Sequence, residues 1–305
     1  MGMSGAYELV LEHYRRPEVP REIARFARGR WVAIHCARRD ERGRPLLIRY
    51  ERGPRGRRRP LSVRGPWDVL RLMKELYSMR PRTFYASSAI YSRLEGPEDT
   101  YYPGTTVAFT PTWDIDNELQ GWRATLEIAN AILDVLERSG VVKSVFVKWS
   151  GRGAHVHLHE KAISPEVFSR HGPLDVAYAI VEYVLLKIEH RVIEVREHFK
   201  AGGLKVENKM DPQRVFTCPL TLHRELNVVA VCIRPEDLWD FTPEWIELDG
   251  FRHWQGWDRY EVGEADELAL RAIEVVGPYP RPYRPRRRKT KRLEDMIMKY
   301  LSRDT

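Results

Sequence analysis

Asp114 and Asp116 stand two residues apart at the end of an apolar stretch, TTVAFTPTWDID, residues 105–116. On a strand, side chains two apart project to the same side. Two carboxylates held that way repel each other unless a cation lies between them, and hard cations such as Mg²⁺ take carboxylate oxygens. Such a pair can hold two metals for an in-line displacement at phosphorus. A strand end that simply meets solvent is the other reading of an isolated D-x-D. A second segment, residues 149–159, reads WSGRGAHVHLH. Ser150, Gly151 and Gly153 suit a tight turn with free backbone N–H groups, and Arg152 adds positive charge, the chemistry of a phosphate cradle. The following strand presents His155, His157 and His159 on one face. Alternating imidazoles also suit zinc, and they suit a plain half-exposed strand equally well. A third segment, residues 211–223, reads DPQRVFTCPLTLH and gathers Asp211, Arg214 and His223. Taken alone it is a loop and a strand.

The elements that must position these groups follow from apolar periodicity. Two short helices fill the first 27 residues, broken by Pro17 and Pro20. Residues 31–36 and 45–50 are expected to form a hairpin, and the Gly-, Pro- and Arg-rich run after it to be irregular. Residues 66–79 carry a helical stripe, and 83–91 read as a strand and its exit. Residues 105–116 are expected as one strand, followed by a helix at 119–137. Strands at 143–149 and 154–160 flank the Ser-Gly turn. Ser164 and Pro165 open a helix with a cap and a first-turn proline. Residues 176–187 are the most apolar helix, 227–233 a buried strand, and 264–275 and 292–301 the last helices. Without regular βα alternation, this mixture points to an α+β or mixed α/β fold. Residues 1–277 read as one domain that carries the three segments, and 278–305 as a basic Pro/Arg-rich arm with a terminal helix.

The chain has 305 residues, 43% hydrophobic and 31% charged, enough to bury a sizeable core. Lys and Arg number 51 against 43 acids, a net charge of +8. The excess is concentrated in two runs, RGPRGRRR at 52–59 and RPYRPRRRKTKR at 281–292. Such runs favour a polyanionic partner. Three distant cysteines, Cys36, Cys218 and Cys232, exclude a disulfide framework and a four-cysteine zinc site. No stretch reaches the length of an apolar membrane span, and no secretory signal is visible, so the cytoplasm is the expected location.

In this order the three segments resemble the archaeo-eukaryotic primase superfamily, and within it the archaeal DNA primase small, catalytic subunit. That family is known by a D-x-D ending a strand, a Ser-Gly turn leading to His, and a third acid. Asp211, Arg214, Pro219 and His223 fit the pattern D-x-x-R-x-x-x-x-P-x-x-x-H. PRTFYASSA at 81–89 resembles the strand before the acid pair, and the likeness spans about residues 5–235. The resemblance implies an α+β fold of mixed and antiparallel sheets flanked by helices, a primase catalytic core related to the RRM fold. It implies template-dependent nucleotidyl transfer, that is, primer synthesis or extension. Asp114, Asp116 and Asp211 would hold Mg²⁺ or Mn²⁺. Ser150, Gly151, Arg152 and His155 would bind the triphosphate, with Arg214, His223 and Arg224 adding charge. The partners implied are a DNA template and primer, nucleoside triphosphates and, for a replicative enzyme, a primase large subunit, with no membrane. Residues 117–149 hold no Cys or His, so the zinc knuckle of replicative members is absent and no zinc is expected. The alternatives are a non-catalytic, primase-like nucleic-acid-binding subunit, and a metal-dependent hydrolase built on the histidine strand.

Overall fold

Residues 3–53 and 56–280 are described in the computed structural model of the chain, with side chains from Tyr7 onward. The basic run at 281–292, the helix expected at 292–301 and most of the expected arm lie outside the described residues. Two helices open the chain, α1 (Met3–Arg15) and α2 (Glu18–Ala27), divided at Pro17 as expected. The hairpin forms too: β1 (Val32–Arg39) pairs antiparallel with β2 (Pro45–Ile48).

The first basic run departs from its expectation. β3 (Tyr50–Arg52) and β4 (Arg58–Pro60) close a short ribbon in which Arg52 faces Arg58. Gly53 and Gly56 suit the turn of such a ribbon, where the Gly53 N–H donates to the Arg57 carbonyl at 2.7 Å. The Arg58 guanidinium lies 4.4 Å from the Tyr50 ring centroid, so the charge is held against an aromatic face. Helix α3 (Pro66–Glu75) and strand β5 (Pro81–Ser87) follow.

The stretch at 105–116 is two strands rather than one. β7 (Thr106–Phe109) pairs with β6 (Ala89–Tyr91), whereas β8 (Thr112–Asp116) enters a different sheet. Pro111 lies between them and has no N–H to continue a ladder. Helix α4 (Trp122–Arg138) then leads to β9 (Val145–Trp149) and β10 (Ala154–Leu158). Next come α5 (Pro165–His171), α6 (Pro173–Phe199) and the short strands β11 (Lys205–Glu207), β12 (Val215–Thr217) and β13 (Val231–Ile233). Helix α7 (Asp266–Val276) closes the described chain. Ser164 precedes α5 but caps it with no side-chain bond; its N–H donates to Asp266 Oδ1 at 2.8 Å. Helix α6 runs well past the apolar stretch 176–187: Ile188 and Val195 continue its buried side beyond that stretch, while the residues around them are mostly exposed.

The strands make two larger sheets, in the orders β12-β5-β1-β2 and β11-β8-β10-β9-β13, with every pairing antiparallel. This is an α+β fold with antiparallel sheets flanked by helices. Along β8, Trp113 and Ile115 are fully buried, and the Trp113 indole N–H donates to the Val181 carbonyl of α6 at 3.0 Å. Strand alternation therefore turns Thr112, Asp114 and Asp116 to the opposite face. That face meets the four-stranded sheet: the Phe216 ring of β12 lies 4.9 Å from His155 and 5.8 Å from His157 of β10.

Candidate functional site

Register brings the sequence motifs together. On the five-stranded sheet one cross-strand row runs Glu207, Asp114, His155, Lys148 and Cys232. Directly opposed residues on an antiparallel pair have Cβ atoms about 5 Å apart, so each side chain in the row meets the next. The D-x-D of β8 and the histidines of β10 are thus neighbours by pairing, although 41 residues separate Asp114 from His155.

The His155 Nε2–H donates to Asp114 Oδ1 at 3.2 Å. From the other side, the Lys209 ammonium lies 2.8 Å from Asp114 Oδ2, 2.6 Å from Asp116 Oδ2 and 3.3 Å from Glu207 Oε2. Burial alone would push the Asp114 carboxyl up. The His155 hydrogen bond and the Lys209 charge outweigh it and hold Asp114 well below the usual carboxylate range. Partial burial would lower Lys209, but Asp114 and Asp116 raise it above its ordinary value, so it is a firm cation. Burial pulls His155 down against the pull of Asp114, which leaves a neutral ring donating to a carboxylate.

The Ser-Gly turn is as tight as its residues suggest. The Ser150 N–H donates to the Gly153 carbonyl at 2.9 Å. Gly151 has φ +131°, and a Cβ there would lie 2.5 Å from His223 Cδ2; one at Gly153 would lie 2.0 Å from the Ile115 carbonyl oxygen. Both glycines are therefore demanded by close approach as well as by the turn. The contact at Gly151 carries His223, the last residue of the third motif, onto the turn. Burial lowers His223 to about 4, and its Nδ1 accepts from the N–H groups of Glu225 and Leu226, leaving Nε2 to face outward chemistry. Arg152 and Arg224 are exposed; Arg152 reaches Glu225 at 3.2 Å.

Asp211 is not drawn into the carboxylate group. One of its oxygens lies 3.0 Å from Arg214, and the other accepts the Gln213 N–H at 2.8 Å. Arg214 also donates to the Lys209 carbonyl at 2.6 Å, so it braces the loop that delivers Lys209. Sequence reasoning missed Glu207 and Lys209. The only signal for Glu207 is the polar-apolar-polar alternation of Lys205, Val206 and Glu207, too short to mark a strand, and no pattern marks Lys209.

The histidines do not form a shared site. His155 is committed to Asp114. His157 is fully buried, bonded through Nδ1 to Thr112 Oγ1 at 2.9 Å and stacked on Phe146 at 4.7 Å. His159 lies beyond the end of β10, where its Nδ1 accepts the Lys161 N–H at 3.1 Å. The expectation of three imidazoles on one strand face thus fails at His159, because the strand ends first. Among the described residues, no group of three or more His, Cys, Asp or Glu side chains is arranged to hold a metal ion. The oxygens of Asp114, Asp116 and Glu207 converge on an ammonium instead. Their chemistry suits a hard cation, which would take the position of the Lys209 Nζ.

Two solved structures resemble this chain over much of its length. The polymerase domain from Mycobacterium tuberculosis Ligase D in complex with DNA is 16% identical, with 88% of each chain covered and a TM-score of 0.48. The AEP domain of the cyanophage S-2L primase-polymerase is 13% identical, covering 77% of this chain and 97% of its own, with a TM-score of 0.31. No family model matches the chain, and no curated protein does. Among the described residues, no helix is long and apolar enough to cross a membrane.

Proposed function

We propose that this chain is a template-dependent nucleotidyltransferase of the archaeo-eukaryotic primase type, either a primase small subunit or a primase-polymerase. The observation that carries this reading is that direct contacts link three distant sequence segments along β10 and the turn before it. Asp114 meets His155, and Gly151 of the turn meets His223. Bound Mg²⁺ or Mn²⁺ would supply an activated hydroxyl and neutralise the leaving pyrophosphate. Asp114 and Asp116 would hold the ions with a third carboxylate. Asp211 is the third acid that the sequence pattern suggests, and the register supports Glu207, which stands directly opposite Asp114. Ser150, Gly151, Arg152 and His155 would bind the triphosphate oxygens, and the Nε2 side of His223 would add a donor. Arg214 and Arg224 would contribute charge, and the run at 52–59 would contact template and primer phosphates without reading sequence. Residues 1–277 would form the catalytic domain, working in the cytoplasm, with a primase large subunit as partner in a replicative setting.

The seat of Lys209 favours one second reading. An ammonium that already neutralises the acids could have replaced the metals, leaving a non-catalytic subunit that binds nucleic acid. Extension of a primed template with labelled NTP or dNTP in Mn²⁺ or Mg²⁺ separates the two. Incorporation that requires the template supports the enzyme; DNA binding without incorporation supports the silent subunit.

A further inference from the structure

Far from the acids along β10 lie two cavities, of about 250 and 360 Å³, that share Arg28, Gly29 and Arg30 as their common wall. Seven basic side chains line the pair of cavities against three acidic ones. Three of the seven are neutralised locally. Arg25 meets Asp258 at 2.6 Å, Arg30 meets Glu160 at 3.0 Å, and Arg93 meets Asp99 at 3.1 Å. Arg28, Arg59, Arg64 and Lys161 have no acidic partner among the described residues, and all but Arg59 are exposed. The buried Arg30 fixes the wall. It donates to the Ser87 and Ser88 carbonyls, to Thr110 Oγ1 and to Glu160, so the loop carrying Arg28 and Gly29 is braced from beneath. One aromatic ring stands beside the four cations: Tyr260, 42% exposed, stacks on His159 at 4.7 Å and has the Lys161 ammonium 4.8 Å from its centroid.

We propose that this double cavity is a strand-anchoring site for a single strand of nucleic acid, separate from the triphosphate cradle. The inference rests on the nucleotidyltransferase reading. Four uncompensated cations along a cleft suit a run of backbone phosphates. Position sets the reach. His155, beside Asp114, and His159, which lines the first cavity, are four residues apart. Leu158 ends β10, so at about 3.3 Å per residue of extended chain the two are at most about 13 Å apart. A stacked strand advances about 3.4 Å per nucleotide, so a chain reacting at the acids and passing over the surface would reach the cleft in about four nucleotides or more. Neither expected basic run is needed for this contact, apart from Arg59 at the rim.

Fluorescence anisotropy with labelled single-stranded oligonucleotides of graded length tests the site, at salt between about 50 and 200 mM. Arg28→Glu with Arg64→Glu removes two phosphate contacts. The dependence of log affinity on log salt should weaken by about 1.4 for single strands, and affinity should fall at least about tenfold. The gain in affinity with length should also vanish in the variant. Mn²⁺-dependent binding of a labelled nucleoside triphosphate should stay at the wild-type value. Matching melting temperatures establish that the variant folds, and Lys161→Glu alone gives the smaller shift if the double variant does not. An unchanged salt slope and length dependence, in a wild-type protein that binds DNA, overturns the anchoring site and leaves the enzymatic reading standing. Failure of the wild type to bind single strands at low salt overturns both.

Discussion

The Lys209 ammonium lies 2.8 Å from Asp114 Oδ2, on the side of that carboxylate away from His155. It holds the ground between Asp114, Asp116 and Glu207 that a divalent ion would need. Metal and lysine therefore compete for the same oxygens, and the metal-free site is kept together by its own cation. Replacing Lys209 tests this. In Lys209→Met the competitor is gone, so Mn²⁺ should bind at least about tenfold more tightly, a gain of about 1.4 kcal/mol. The same variant should be less stable without metal by about 1–3 kcal/mol, because Asp114 is largely buried and loses a charged partner. Calorimetric Mn²⁺ titration beside thermal melts reads both effects. Equal Mn²⁺ affinity in variant and wild type would show that the lysine does not occupy the metal seat.

The third acid is decided by comparing Glu207→Gln with Asp211→Asn. Glu207 faces Asp114 across β11 and β8, while both oxygens of Asp211 are taken by its own loop. Glu207→Gln is expected to cut nucleotide addition by about 10²–10³-fold, the range for removing one electrostatic contact to a transition state. Asp114→Asn should do at least as much, with DNA binding nearly intact. Asp211→Asn should cost about tenfold or less, through a looser Arg214 and a displaced Lys209 loop. Single-turnover extension measures all three, and a larger loss at Asp211 restores the assignment drawn from the sequence pattern.

Much of this arrangement is legible in the chain itself. The hairpin of β1 and β2, the acids ending β8 and the glycine turn before β10 follow from apolar alternation and turn residues. What the sequence hides is non-local or too short to have a period. β11 is three residues long, two of them charged and exposed, and only its pairing with β8 reveals that Glu207 belongs with Asp114. Lys209 follows the strand, where no pattern marks it. Pro111 splits an apolar run that reads as continuous, because Phe109 and Trp113 are both buried, but in different sheets. His159 looks like the third member of an alternating series, and the backbone turns away one residue earlier.

Acid stability should depend on the buried pair Arg30–Glu160. Burial raises the Glu160 carboxyl, but Arg30, His159 and the Thr110 hydroxyl outweigh it and hold it down to about 2, from an ordinary value of 4.5. A carboxyl that binds its proton less readily when folded stabilises the fold above its unfolded pKa. That contribution fades as pH falls from about 4.5 toward 2. Glu160→Gln should cost about 3 kcal/mol near neutral pH, at the low end for breaking a buried ion pair. It should also flatten the loss of stability below pH ~4.5. Urea unfolding across that range checks it; an unchanged acid limb would mean that other carboxylates govern acid unfolding.

His155 and His157 share a strand face but should fail in different ways when truncated. His155 sits at the acids, with Nε2 on Asp114 and Nδ1 buried with no partner among the described residues. His155→Ala removes the donor that orients Asp114 and a group beside the glycine turn. It should raise the apparent KM for nucleotide and lower kcat, with a modest change in melting temperature. His157 is further inside, fully buried, stacked on Phe146 and tied to Thr112. Burial and the neighbouring Lys148 hold its pKa well below the usual value, which favours the neutral ring. His157→Ala leaves a cavity in a packed interior and should cost about 2–4 kcal/mol of stability. Its kcat and KM, measured well below its melting point, should change clearly less than those of His155→Ala. Steady-state extension kinetics with parallel melts separate the two. If His157→Ala impairs nucleotide use more than His155→Ala while keeping its melting temperature, the phosphate cradle lies deeper between the sheets than the turn at Gly151.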